Sequence, residues 1–240
     1  MEFSNVYDDG TRADAYATLE FPGTYFLAYR DLPAIIRAHV RGRSAVDFGC
    51  GAGRSTRFLR GLGFDAVGVD ISDAMLARAR ELDPAGDYRR VADGDLGALA
   101  SATADLVLSV FTFDNIPTRE KKIALFRDMR RLLRPGGRIV SLVSSPDIYV
   151  NEWTSFSTRD FPGNRTARSG DKVLIVMLDV ADRRPVEDVL WTDDSYRDVY
   201  RHAGLEVVDT YRPLGNASDG PAWVSETTIA PWVIYVLASV

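Results

Sequence analysis

The run Asp47-Phe48-Gly49-Cys50-Gly51-Ala52-Gly53 is where this chain gathers residues able to hold a ligand. Glycines lack a Cβ, so they permit a tight turn and let a ligand lie against bare backbone. Such a triplet serves dinucleotides, phosphates and other ligands alike, so by itself it is a weak signal. The spacing is Gly-x-Gly-x-Gly with no Gly-Lys-Ser/Thr ending, which excludes a P-loop. Asp47 stands two residues before the first glycine. A carboxylate there repels a pyrophosphate but suits an ammonium group or a backbone turn. Asp70 follows the loop by about 20 residues, the usual separation of a ribose-binding acid. The ligand expected is one with a ribose and no diphosphate. A dinucleotide oxidoreductase is the rival; it leaves Asp47 unexplained and needs a second site for the nicotinamide half. For acid–base work the candidates are Asp114, Glu152 and Tyr149, with Tyr25 and Glu226 further back. Each also suits a plain role as a loop hydrogen-bonder.

These residues need elements to position them. From Ser44 to Leu142, short apolar runs bounded by Gly and Asp alternate with amphipathic helical stretches. Strands are expected at Ala45–Phe48, Ala66–Asp70, Tyr88–Ala92, Asp105–Phe111 and Arg138–Val143. Helices are expected at Arg54–Leu62, from a Ser72 or Asp73 cap to Leu82, and from a Thr118 cap to the Arg134-Pro135-Gly136-Gly137 stop. Strands alternating with helices imply a parallel sheet, because parallel neighbours need a crossover. Beyond Ser144 the rhythm changes. Ser145–Asp171 has no clear period, Val173–Val180 and Val186–Trp191 read as a small antiparallel pair, and Thr192 opens another helix. Leu205–Thr210 and Trp232–Leu237 close the chain as strands. The expected architecture is one α/β domain. It has a lid over residues 1–40, a ligand-binding core over 44–143, a substrate-side loop and insert over 144–191, and the rest of the sheet over 192–240. The sheet is expected to have seven strands, mostly parallel and Rossmann-like.

Composition removes several other functions. With 46% hydrophobic and 26% charged residues the chain suits a folded globular protein. A net charge of −5 argues against a broad nucleic-acid-binding surface. The longest apolar runs, Val173–Leu178 and Val233–Ala238, are too short to span a bilayer, and Met1–Gly10 is too acidic for a secretion signal. A cytoplasmic protein without nucleic-acid or membrane partners is expected, as monomer or homodimer. One cysteine, Cys50, allows no intrachain disulfide and no Cys-rich metal cage. His39 and His202 lie far apart, so no metal is expected, and each reads as a capping or surface residue. Seven aromatics fall in the first thirty residues: Phe3, Tyr7, Tyr16, Phe21, Tyr25, Phe26 and Tyr29. They suit a helix packed on the core or a lid over a ligand.

Taken together, Asp47-x-Gly49-x-Gly51-x-Gly53, Val67-Gly68-Val69-Asp70-Ile71-Ser72, Asp93-Gly94-Asp95, the strand Asp105–Phe111 and Leu132-Leu133-Arg134-Pro135-Gly136-Gly137 resemble class I S-adenosylmethionine-dependent methyltransferases. The resemblance is close over Ser44–Val143 and loose over Thr192–Val240. It implies S-adenosylmethionine as cofactor, S-adenosylhomocysteine as product and a small organic acceptor. By the same resemblance Asp70 would hold the ribose hydroxyls, and Gly49, Gly51 and Gly53 would lie under the methionine and ribose portions. Asp47 would sit near the methionine ammonium. Asp93, Gly94 and Asp95 would meet adenine, with Ile71 and Met75 on its faces, while Ser109 or Val110 would touch the methionine end. Two subfamilies are disfavoured. Phe113-Asp114-Asn115-Ile116-Pro117 is not the Asn/Asp-Pro-Pro-aromatic motif of nucleic-acid amino methylation, and Val143-Ser144-Ser145-Pro146 lacks the Asp-Asn pair of magnesium-dependent enzymes. The same scaffold also accommodates a non-methylating cyclase or decarboxylase that uses the sulfonium as a fixed charge, or a protein that only binds the cofactor.

Overall fold

The computed structural model describes residues 21–92 and 95–240. Phe3, Tyr7, Tyr16, Asp93 and Gly94 lie outside the described residues. Two helices, α1 (Thr24–Arg30) and α2 (Leu32–His39), precede β1 (Ser44–Phe48). There follow α3 (Arg54–Gly61), β2 (Asp65–Asp70), α4 (Asp73–Leu82), β3 (Asp87–Arg90), β4 (Ala104–Val110), α5 (Arg119–Leu132) and β5 (Leu133–Ser144). The second half carries β6 (Phe156–Ser157), β7 (Lys172–Met177), β8 (Val186–Val189), α6 (Asp193–His202), β9 (Leu205–Tyr211) and β10 (Trp232–Ser239).

The main sheet has the order β3-β2-β1-β4-β5-β10-β9, and β6-β7-β8 form a second, antiparallel sheet. All pairings from β3 to β5 are parallel, while β10 runs antiparallel to both β5 and β9. The order reverses between β1 and β4, so crossovers from these strands leave in opposite directions. A crevice forms there, beyond the carboxyl ends of the strands.

Period-two alternation decides which side chain meets which layer. On β4, Leu106, Leu108 and Val110 join the core shared with α1, α2 and the small sheet. Val107 between them joins the core under α5 and α6. Local sequence explains the helix starts. The Ser72 hydroxyl accepts from Met75 N at 3.4 Å and Thr118 from Lys121 N at 3.2 Å, each satisfying an orphan N–H of a first turn. Glu120 and the pair Arg130 and Arg131 complement the two ends of the α5 dipole.

Several strand ends differ from the sequence expectation by one to three residues, and the start of β5 differs most. β5 begins at Leu133, not Arg138, because Leu133 pairs with Ala104 before the Pro-Gly-Gly turn loops outward, and Arg138 pairs with Leu106 after it. The turn terminates α5 without ending the pairing.

Candidate active site

The glycine loop is pinned to the neighbouring strand. Gly49 N and Cys50 N both donate to Val69 O, at 2.8 and 3.0 Å. Gly49 has φ 73°, and a Cβ there would sit 2.1 Å from Thr112 Oγ1. That hydroxyl donates to Phe48 O at 3.0 Å, so it ties the end of β4 to the end of β1. Gly53 has φ 80°, and a Cβ there would meet the Tyr88 hydroxyl at 2.6 Å. At these two positions the glycine is demanded by left-handed backbone and by close internal neighbours. A Cβ on Gly51 would meet only Met75 Cε, at 3.4 Å.

Asp47 is fully buried. Its Oδ2 accepts from Ser55 Oγ at 2.7 Å and Thr56 Oγ1 at 2.6 Å, while its Oδ1 is buried without a partner. Burial pushes its carboxyl up to about 6, against the lowering effect of the two hydroxyls. Asp70 closes the loop from the next strand. Its Oδ2 accepts from Gly51 N at 2.8 Å and its Oδ1 from Ser72 N at 2.9 Å. Ile71 is half-buried, and Met75 and Val110 are buried. Ser109 is buried with its Oγ unpartnered. Asp95 is exposed and accepts from Gly97 N at 2.7 Å, a local turn contact.

Beside this loop, past the ends of β4 and β5, lies a cavity of about 50 Å³. That is room for a few waters or for the small head of a ligand. Its apolar walls include Tyr25, Phe111, Phe156, Met177 and Trp232. Phe111 has φ 62°, left-handed backbone that is costly for a bulky residue and recurs at functional sites. The unusual backbone sits where β4 must turn into the short helix Thr112–Asn115. The polar end holds Asp114, Asn115, Ser144, Tyr149 and Asp188. Asp114 accepts from Ser144 N at 3.2 and 3.1 Å and from Ser144 Oγ at 2.8 Å. The Tyr149 hydroxyl donates to Asp188 Oδ2 at 3.1 Å. Burial raises the carboxyls of Asp114 and Asp188, and the charge of Asp114 raises Asp188 further. Burial holds the Tyr149 phenol well above its ordinary value, so it stays a donor.

Of the three candidate acid–base residues, Asp114 and Tyr149 come together at this cavity. Glu152 does not line it. Its carboxylate accepts from Ser157 Oγ at 2.8 Å and Thr158 N at 2.7 Å, and pairs with Arg159 at 3.2 Å. Glu226 is buried and takes Thr24 Oγ1, Thr154 N, Val224 N and Ser225 N, so it knots three chain segments together. Tyr25 packs into the cavity wall against Phe111, Phe156 and Trp232. His39 bonds Tyr211 and His202 lies beside Asp198, both away from the cavity.

A family profile described as "Methyltransferase domain" matches residues 46–141. Among curated proteins, N-demethylindolmycin N-methyltransferase from Streptomyces griseus is 26% identical over 210 residues, covering 86% of this chain and 87% of that protein. A ubiquinone biosynthesis O-methyltransferase from Pseudomonas aeruginosa is 28% identical over 194 residues, covering 74% and 72%. The solved structure of the CcbJ methyltransferase from Streptomyces caelestis aligns with TM-score 0.64 at 18% identity, over 92% of this chain and 100% of that one. Together these likenesses support a class I S-adenosylmethionine-dependent methyltransferase. The matched segment contains the glycine loop, Asp70 and all of β4, and stops short of Ser144. The cavity's remaining walls, from Ile148 to Trp232, lie outside it.

Three residues at or beside the cavity escaped the sequence reading. Asp188 was readable in principle. It lies two positions after buried Val186 on β8 and faces the same side, so alternation alone would have turned it inward. Lys122, fully buried on α5, looks like any exposed helix lysine in sequence. Met177 reaches the cavity only through the pairing of β7 with β6.

Proposed function

We propose that this protein transfers a methyl group from S-adenosylmethionine to a small organic acceptor seated in the cavity beside the glycine loop. One observation carries the reading: the cavity and the loop share a wall. Thr112 bonds the end of β1, and its chain neighbour Phe111 lines the cavity.

The residues fit the cofactor. Asp47 retains a buried oxygen with no partner, suited to an ammonium group. Asp70 stands at the end of β2 with its two oxygens already oriented by backbone N–H groups, ready to accept from ribose hydroxyls as well. Ile71 and Met75 offer apolar surface next to Gly51 for the adenine, and Asp93, Gly94 and Asp95 belong to the adenine side by sequence resemblance. Ser109, with its unpartnered Oγ, and Val110 stand at the end of β4 for the methionine side. When bound, S-adenosylmethionine supplies an electrophilic methyl on a sulfonium, a good leaving group. The protein's own part is therefore alignment, exclusion of water and removal of a proton from the acceptor. The aromatic walls seat the acceptor, and Asp114, held in place by Ser144, takes the proton. Tyr149 stays protonated and orients Asp188 instead of acting as a base.

The test is calorimetric titration of the protein with S-adenosylmethionine and S-adenosylhomocysteine against NAD, followed by release of labelled methyl to a panel of small acceptors. Micromolar binding of the first two and none of NAD supports the proposal. A preference for NAD, or no binding of either sulfur compound, overturns it.

A further inference from the structure

The polar end of the cavity is acidic. Two acids, Asp114 and Asp188, line it, and among the described residues no Lys, Arg or His does. Two cations stand outside the lining: Arg54, whose guanidinium lies 5.1 Å from the Tyr25 ring centroid, and Lys122. The Lys122 Nζ donates to Phe113 O, and the ammonium lies 4.9 Å from the Trp191 ring centroid, 5.3 Å from Tyr196 and 5.6 Å from Phe113. Those contacts hold the Lys122 charge behind the wall, in an aromatic cage of the protein's own. The Phe111, Phe156 and Trp232 rings also line the cavity, and aromatic faces attract cations; the fourth ring, Tyr25, already has Arg54 over it. The cavity marks the site, and its lining sets the charge of what fits there. An anion would face two acids, whereas an ammonium head finds acceptor oxygens on both.

We infer that the acceptor is a small aryl- or alkylamine that enters as an ammonium ion, its charged head on Asp188 and Asp114 and its apolar body on the aromatic wall. This rests on the methyl-transfer reading and names the acceptor class for the same site. It also assigns a proton path. The entering R–NH3+ gives one proton to a cavity carboxylate, leaving R–NH2 with a free lone pair and a neutral carboxyl, so charge and protons balance. Tyr149 donates to Asp188 Oδ2, and Glu187, on the opposite face of β8, raises Asp188 slightly. Burial raises both carboxyls, and Lys122 works against it at each. Burial lowers the Lys122 ammonium itself, against the pull of the two acids.

The experiment compares three probes of one shape and different charge: benzylamine, benzyl alcohol and benzoate. Each is titrated calorimetrically into the wild-type protein, with and without saturating S-adenosylhomocysteine. Benzylamine is expected to bind about ten-fold or more tightly than benzyl alcohol, with benzoate weakest. In Asp188→Asn, which keeps an acceptor for Tyr149, the preference should shrink to about three-fold or less. Equal binding of amine and alcohol, tighter binding of benzoate, or no binding of benzylamine at millimolar concentration overturns the inference. So does an amine preference that survives both Asp188→Asn and Asp114→Asn. The wild-type comparison stands even if a variant fails to fold, which a thermal melt would report. If S-adenosylhomocysteine does not bind yet the amine preference is present, the methyl-transfer reading falls and the charge assignment of the cavity stands.

Discussion

The glycine loop and the acceptor cavity are built on opposite plans. Around the loop, the decisive contacts run between residues close in sequence or on adjacent strands. Asp47 meets Ser55 and Thr56, and Asp70 meets Gly51 and Ser72. Around the cavity, they span most of the chain. Thr24 reaches Glu226 and Ser155, and Trp232 Nε1 donates to Thr24 O. A local site can be written as a motif and kept through family divergence. A site assembled from distant segments has no motif, but each segment can be altered separately to change the acceptor. The family match ending before Ser144 follows this division.

The contrast implies that breaking the two regions should have different consequences, and the largest effect belongs to the long-range one. Glu226→Ala would leave Thr154, Val224 and Ser225 N–H groups and the Thr24 hydroxyl without their common acceptor. A loss of about 4 kcal/mol is expected, read by urea denaturation. Ligation of S-adenosylhomocysteine by the remaining folded fraction should change little. If Glu226→Ala instead unfolds normally and loses only ligand affinity, the division between the regions is wrong.

Asp70→Ala makes the opposite test. It removes the proposed ribose acceptor and the carboxylate that orients Gly51 and Ser72. Affinity for S-adenosylhomocysteine should fall about 100-fold, worth about 3 kcal/mol, while global stability changes by about 1–2 kcal/mol. Calorimetry and chemical denaturation on one preparation separate the two numbers. Asp70→Asn should recover the stability and little of the affinity, since an amide keeps only one acceptor oxygen.

What was legible in the sequence follows the same line. β1, α3, β2 and α4 were readable because hydrophobic alternation, the Ser72 cap and the glycines act within a few residues. The start of β5 was not, because a strand that pairs before and after an outward loop violates the rule that Pro-Gly-Gly ends an element. Asp114, Tyr149 and Glu152 were alike in sequence: polar residues in loops past a strand end. Only folding distinguishes them, by placing Ser144 beside Asp114, Asp188 beside Tyr149, and Ser157, Thr158 and Arg159 beside Glu152.

Acidity separates the regions at the next level of magnitude. Asp47 has its folded pKa raised from 3.8 to about 6. Between those values the folded state holds a proton that the unfolded state has released, so this group's contribution favours folding at low pH and is lost as pH rises through about 6. The expected decline is about 2 kcal/mol from pH 4 to pH 7, and Asp47→Asn should flatten it. Ligand binding should move the other way. An ammonium group placed on Asp47 Oδ1 favours the ionised form, so affinity for S-adenosylhomocysteine should rise about ten-fold from pH 5 to pH 7. A pH-independent affinity would detach Asp47 from the ligand and leave it a purely structural acid.

The smallest expected effect falls on Glu152, and it sharpens the contrast within the acceptor side itself. Its pKa is held below the ordinary carboxylate value by Thr158 N–H, Ser157 and Arg159, although burial works against them. A carboxylate so stabilised in its charged form is a weak proton acceptor at neutral pH. Its contacts fasten the segment from Glu152 to Arg159, which includes the cavity wall residue Phe156. Glu152→Gln keeps the shape and most of the hydrogen bonds, so stability should fall by no more than about 1 kcal/mol, and turnover with a responsive acceptor should stay within about three-fold of wild type. Asp114→Asn under the same assay should lower kcat by about 100-fold or more, with a smaller change in KM. If the two variants exchange those outcomes, the proton leaves through the exposed loop and the buried carboxylates serve only to bind.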